Sequence, residues 1–334
     1  MSIELVTVWA ALIAFAVLAY VVLDGFDLGV GILFFSVHDD RQRDMMVNSV
    51  APVWDGNETW LVMGGGGLMA AFPLAYAILL PAFYPLLIAM LLALIFRGVA
   101  FEFRGWSDVH RRWWDRGFAV GSTVAAFCQG VMLGAFITGI AVEGRAYAGG
   151  WFDWLTPFTV FTGVAVVAGY GLLGATWLVM RCEGELQARC RHHARPLFVA
   201  VLGMIAIVSL WTPFAHPGVA DRWFSMPNLI YLSPVPLLVA ATAVWFWFGL
   251  ARGAERAPFF AALGLFVLSY VGLGISLFPY VVPYAVTVEQ AAAPPESLRF
   301  LLYGAAVLLP LILGYTAYAY RVFRGKVRAD EGYH

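Results

Sequence analysis

Charge is scarce in this sequence. Only 12% of its 334 residues are Asp, Glu, Lys or Arg, against about 25% in soluble domains. Hydrophobic residues make up 62%, and mean hydropathy is +0.80. So few charges cannot clothe a globular surface, which excludes a water-soluble fold and leaves lipid as the main solvent. No basic patch of the size nucleic acid needs survives that reading. Cysteine is nearly absent. Cys128, Cys182 and Cys190 form no CxxC pair, which excludes a thiolate metal site of the usual spacing. Cys182 and Cys190 are expected in a cytoplasmic loop, where thiols stay reduced. The six histidines are His38, His110, His192, His193, His216 and His334. All are expected in loops, at span edges or at the terminus, and no two stand four apart within a span. The chain alone is therefore expected to bind no haem. Phosphate loops, nucleophile elbows and metal-ligand spacings are missing too, so no metal site is expected. A secretory leader is not expected, because no basic stretch precedes the first apolar run and that run is far too long.

What is abundant is the long apolar run. A membrane-crossing helix needs ~20 mostly apolar residues. Nine candidates lie at about 5–36, 52–72, 74–103, 117–142, 157–180, 196–215, 231–250, 258–284 and 299–322. The second is the weakest, since it opens Pro52-Val53-Trp54-Asp55 and contains Gly64 to Gly67. Those glycines mark either close packing, the preferred reading, or a locally unwound helix. The expected fold is an all-α integral membrane protein, one polytopic domain over 1–334. A faint echo between Tyr20–Gly25 and Val164–Gly174 fits two related four-helix bundles plus one peripheral helix.

Basic residues sort by side. Seventeen fall in or next to one alternate set of loops: Arg41, Arg43, Arg97, Arg104, Arg111, Arg112, Arg116, Arg181, Arg189, Arg191, Arg195, Arg252, Arg256, Arg321, Arg324, Lys326 and Arg328. Only Arg145, Arg222 and Arg299 fall on the other. The positive-inside rule then puts the N-terminus outside and the C-terminus in the cytoplasm. Trp106, Trp113, Trp114, Trp151, Trp154 and Trp223 gather at expected span ends, as interfacial belts do.

Acids inside spans carry the most information, because each costs roughly 2.5–3.5 kcal/mol at a helix centre. Asp24 and Asp27 are three apart and share a helical face, a stripe that Tyr20 and Gly31 extend. Gly25 and Gly29 allow a second helix to approach closely. Asp55 and Glu58 repeat the three-residue spacing. Glu102 ends the third span near Arg97 and Arg104. All five acids are expected toward the cytoplasmic end. One reading is a proton-handling cluster, since carboxyls in low dielectric can hold and exchange protons near neutral pH. The other is structural: pairing with Arg97 and Arg104, or capping of a helix by Asp55. A secondary transporter, whose broken helices also hold acids and glycines, fits these residues as an alternative.

Three strings turn this reading toward a family. Leu23-Asp24-Gly25-Phe26-Asp27-Leu28-Gly29-Val30-Gly31, Asn48 through Trp54-Asp55-Gly56-Asn57-Glu58-Thr59-Trp60-Leu61, and Phe96-Arg97-Gly98-Val99-Ala100-Phe101-Glu102-Phe103-Arg104 resemble signature blocks of subunit II of the cytochrome bd quinol oxidases. Gly174-Ala175-Thr176-Trp177, Glu183-Gly184-Glu185-Leu186-Gln187 and Phe278-Pro279-Tyr280 are similar as well, so the resemblance runs through the whole chain in order.

The resemblance implies a membrane complex of the bacterial inner membrane that oxidises quinol, reduces oxygen to water and adds to the proton gradient. Haem b and haem d would be ligated by subunit I, the heterodimer partner. Small accessory subunits and lipid would attach, and no nucleic acid. Asp55 would match the acid implicated in proton delivery, with Asp24, Asp27 and Glu102 matching other embedded acids. Some members have Gln at the Glu58 position and some have Asp at the Glu102 position. The short length resembles the cyanide-insensitive branch, in which another b haem can replace haem d. The resemblance leaves open which quinone is used and whether a structural quinone binds in this subunit.

Overall fold

The computed structural model describes residues 2–105 and 110–327. Its helices follow from long apolar runs punctuated by Pro, Gly and polar residues. Helix α1 spans Ser2–Leu33, and a single 3₁₀ turn leads to α2, Asp40–Val50. Asp39 caps α2 by accepting from the Gln42 amide at 2.9 Å. Helices α3, Trp54–Ala71, and α4, Pro73–Phe103, are separated only by Phe72, and α5 runs Arg111–Thr138. A short hairpin, β1 Val142–Glu143 and β2 Ala146–Tyr147, precedes α6, Pro157–Arg181. A Thr156/Thr159 capping box opens α6. Then come α7, Gly184–Ala215; α8, Pro217–Phe224; α9, Asn228–Leu232; α10, Pro234–Ala251; and α11, Ala257–Leu277. A second hairpin, β3 Tyr280–Val282 and β4 Val286–Thr287, leads through α12, Val288–Ala291, to α13, Pro295–Val322. Proline in the first turn of α4, α6, α10, α11 and α13 starts each helix where its missing N–H costs nothing.

Eight helices among the described residues are long and apolar enough to cross a membrane. The ninth candidate, α3, is a continuous helix of 18 residues, about 27 Å at 1.5 Å per residue, with a polar first turn. Helices α1, α3, α4 and α5 pack as one bundle, and α6, α7, α10 and α11 as another. Helix α13 lies against α1 and α3 from outside. Its outward face, with Phe300, Tyr303 and Leu311, is exposed.

The seam between the bundles is α6 against α1 and α5. A Cβ built on Gly29 would lie 1.9 Å from the Tyr170 carbonyl oxygen, and one on Gly174 would lie 2.3 Å from the Gly29 carbonyl carbon. Gly130 meets the backbone of Thr162 and Gly163 in the same way on α5. Small residues are thus what lets the bundles touch backbone to backbone.

Several sequence expectations shift. Gly64 to Gly67 neither unwind α3 nor pack tightly. Gly64 and Gly67 face α1 at ordinary distances of 3.5 and 3.4 Å, and Gly65 and Gly66 face open space. Helix α11 stops at Leu277, because Pro279 and Pro283 favour the hairpin over further helix. Helix α7 begins at Gly184, so Cys190, His192 and His193 are helical rather than in a loop. Trp106, Arg328 and His334 lie outside the described residues.

Candidate functional site

Asp24 and Asp27 sit one turn apart on α1, and both are fully buried. Their counter-ion is Arg97 of α4, also fully buried. Its Nη2 lies 2.7 Å from Asp24 Oδ1 and 3.9 Å from Asp27 Oδ2. The approach is close but off-axis: Nε, Nη1 and Nη2 of Arg97 and both oxygens of Asp24 make no hydrogen bond of good geometry within the chain. Arg97 therefore leaves the set of loop cations. It stands inside the bundle because two carboxylates there require it.

Asp27 has a second partner. Asn57, in the first turns of α3, donates from Nδ2 to Asp27 Oδ2 at 2.7 Å and to the Leu23 carbonyl at 3.3 Å. Tyr320 of α13 donates to Asn57 Oδ1 at 2.9 Å. Trp54 roofs this corner. It stacks on Phe101 with ring centroids 4.7 Å apart, and Arg97 lies 6.0 Å from its ring. Four helices, α1, α3, α4 and α13, thus meet on one acid pair.

The remaining acids are graded by depth. Glu58 is half-buried and interacts electrostatically with Arg97, Asp24 and Asp55. Asp55 is exposed. It does not cap α3: the N-cap is Val53, and no side chain bonds the free amides there. Glu102 is exposed near the end of α4 and makes no ion pair among the described residues. The structure therefore gathers Asp24, Asp27 and Glu58 around Arg97, leaves Asp55 at the rim beside Glu58, and sets Glu102 apart.

Arg104 does not serve these acids. Its Nε lies 2.6 Å from Asp115 Oδ1 and its Nη1 2.5 Å from Asp44 Oδ1. Arg43 holds the other Asp115 oxygen at 2.9 Å, and Arg111 also pairs with Asp44. Three arginines and two aspartates so tie α2, α4 and α5 together. Partial burial pushes the Asp44 carboxyl up, but hydrogen bonds from Arg111 and Arg104 outweigh it and hold the group below its ordinary value.

A lone arginine inside an apolar run is itself a signal that a buried acid awaits it; the sequence reading counts Arg97 among the loop cations, which the structure corrects, and also offers it as a partner of the embedded acids, which is where the structure puts it. Tyr320 carries no such signal, since 263 positions separate it from Asn57.

The described histidines lie apart from one another, save for His192 beside His193. His38 and His110 are exposed beside α2 and α5, and His192 and His193 lie in the opening turns of α7. His216 ends α7 stacked on Tyr284, centroids 4.1 Å apart. Among the described residues no three His, Cys, Asp or Glu side chains gather to hold a metal ion.

Comparison with known proteins places this arrangement. The family described as cytochrome bd terminal oxidase subunit II matches residues 5–323. The chain is 31% identical to the cytochrome bd-I ubiquinol oxidase subunit 2 of Escherichia coli (strain K12), over 97% of this chain and 95% of that one. It is 32% identical to the cytochrome bd ubiquinol oxidase subunit 2 of Bacillus subtilis (strain 168), over 97% of each. The bd oxidase structure from Geobacillus thermodenitrificans shares the fold, with a TM-score of 0.75 at 17% identity over 96% of this chain and 98% of that one. A match across nearly the full length, on an all-helical membrane scaffold, shows that this chain belongs to the cytochrome bd terminal oxidase subunit II family and is a multi-pass subunit of a haem-containing terminal oxidase complex.

Proposed function

We propose that this subunit packs against a haem-bearing subunit I in a quinol:oxygen oxidoreductase and lines a proton path from the cytoplasm toward the oxygen-reducing haem. Haem b and haem d, or haem b alone, would be ligated by subunit I, in keeping with the histidine positions here. The N-terminus faces the periplasm and the C-terminus the cytoplasm, as the basic residues favour. Family membership leaves no need for the transporter reading. Small accessory subunits and a quinone held by this subunit are further candidates for the complex.

The observation that carries the proton path is the gradation from Asp55 at the rim, through half-buried Glu58, to buried Asp24 and Asp27 beside Arg97. Asp24, Asp27 and Arg97 hold one more acid than base. Low dielectric penalises an uncompensated charge heavily, so a proton in this cluster restores neutrality. Glu102 stands apart and supports the entrance or the interface.

The test is Asp55→Asn in the purified complex. Asp55 neither caps α3 nor pairs with a cation among the described residues. Asn should therefore preserve assembly and the haem spectrum while lowering turnover with quinol. Full turnover and full proton uptake in the assembled variant would remove Asp55 from the path.

A further inference from the structure

A second buried polar chain reaches the acid pair from the side of α5 and α6. Tyr170 of α6 donates to Gln129 Oε1 at 2.7 Å, and Gln129 of α5 donates from Nε2 to the Tyr20 hydroxyl at 2.8 Å. Both tyrosines are buried, at 4% and 2% exposure for Tyr20 and Tyr170. Tyr20 precedes Asp24 by one turn of α1, which puts the two side chains on one helical face, although no hydrogen bond reaches the Asp24 oxygens within the chain.

Donor counting ties the direction of this chain to the charge of Asp24. An amide has one accepting oxygen and one donating nitrogen. With Tyr170 on its oxygen, Gln129 donates to Tyr20, and the Tyr20 proton is left for Asp24. An amide turned the other way would take the Tyr20 proton. Tyr20 could then only accept, and only a protonated Asp24 could satisfy it. The orientation of Gln129 and the charge of Asp24 are therefore one choice. The chain also ends at Tyr170, whose hydroxyl makes no further hydrogen bond among the described residues and whose ring packs on Phe266 at 5.9 Å. It is a support, not a conduit.

Groups from every neighbouring helix bear on the pair. Asp24 has Arg97 Nη2 of α4 at 2.7 Å and lies within electrostatic reach of Tyr20 on α1, Glu58 on α3, Tyr170 on α6 and Tyr320 on α13. Asp27 lies 3.9 Å from the same nitrogen, takes one bond from Asn57, leaves Oδ1 without a partner, and feels Glu58 and Tyr320.

We infer that Gln129 is a positioning residue that, through Tyr20, holds Asp24 as the ionised partner of Arg97 and so places the proton of the cluster on Asp27. This rests on the proton-delivery reading above, but its test does not need turnover. Infrared spectra of the purified oxidase complex, taken across pH, read protonated carboxyls directly. The band of the buried protonated carboxyl should vanish in Asp27→Asn and persist in Asp24→Asn. Gln129→Leu and Tyr20→Phe should move it in frequency, because the proton then shifts toward Asp24. Tyr20→Phe removes a single oxygen and keeps the fold testable even where Asp24→Asn fails to assemble. A band lost in Asp24→Asn and kept in Asp27→Asn overturns the assignment. So does a band identical to the parent's in both Gln129→Leu and Tyr20→Phe. Unchanged turnover in Asp27→Asn, with the bands as expected, would remove the proton path and leave the assignment standing.

Discussion

Gly29 and Gly174 meet backbone to backbone at the crossing of α1 and α6, where a Cβ on either would fall within 2.7 Å of the other's main chain. Nothing flexible lines this contact, so added volume must part the bundles. Overpacking costs typically about 1–3 kcal/mol, and clashes with backbone lie at or above the top of that range. Gly29→Ala and Gly174→Ala should each sharply reduce the yield of assembled complex in mild detergent. Gly203→Ala, which meets nothing within 4 Å in this chain, should assemble normally. Equal yields from all three would show that the seam tolerates separation.

Arg97 is the only cation within ion-pair distance of Asp24 and Asp27 among the described residues. Removing one partner of a buried pair leaves an uncompensated charge and costs about 3–5 kcal/mol. Arg97→Leu should therefore lower the thermal midpoint of the complex or prevent assembly. Asp24→Asn combined with Arg97→Leu should recover part of the loss. A double variant no better than Arg97→Leu alone would mean that the arginine serves packing rather than charge.

The Asp44 network predicts a pH dependence with a definite sign. Its folded-state value is held below the ordinary one, so its stabilisation is complete above the unfolded value of about 3.9 and is lost as pH falls through the folded value. Asp44 is partly exposed, and solvent screening limits the effect to roughly 0.5–1 kcal/mol. Asp44→Asn should unfold at a lower temperature than the parent at neutral pH, with the gap closing in acid. A gap independent of pH would assign the loss to packing.

Orientation and haem content can be checked without variants. A reporter active only in the periplasm should stay silent when fused after His334. The chain expressed without its partner should bind no stoichiometric haem, since no two of its histidines stand four apart within an expected span. Periplasmic activity would reverse the topology, and bound haem would direct attention to Met or edge-His ligands.

The sequence made the acid stripe of α1 legible because helical spacing puts Asp24, Asp27, Tyr20 and Gly31 on one face whatever surrounds them. Gly25 and Gly29 announced a close neighbour for the same reason. Arg97 carried two readings, loop cation and partner of the acids, because near the end of an apolar run the two look alike. The pairings of Asn57 with Tyr320 and of Gln129 with two tyrosines were invisible. Hydrogen bonds between distant helices leave no periodicity in either partner. Glu102 shows the converse: an acid in one of the motif strings that the fold sets apart from the cluster.

The last helix closes the first cluster. Tyr320 reaches Asn57 from the end of the chain, and just beyond it Lys326 pairs with Glu255 at 3.0 Å and bonds the Cys182 carbonyl, while the Val327 amide bonds that of Arg181. A ribosome that has delivered every other helix into the membrane has still not delivered the residue that completes Asn57. A nascent or truncated chain thus lacks part of the acid site until α13 is inserted, so the site formed by α1, α3 and α4 depends on a helix made long after them.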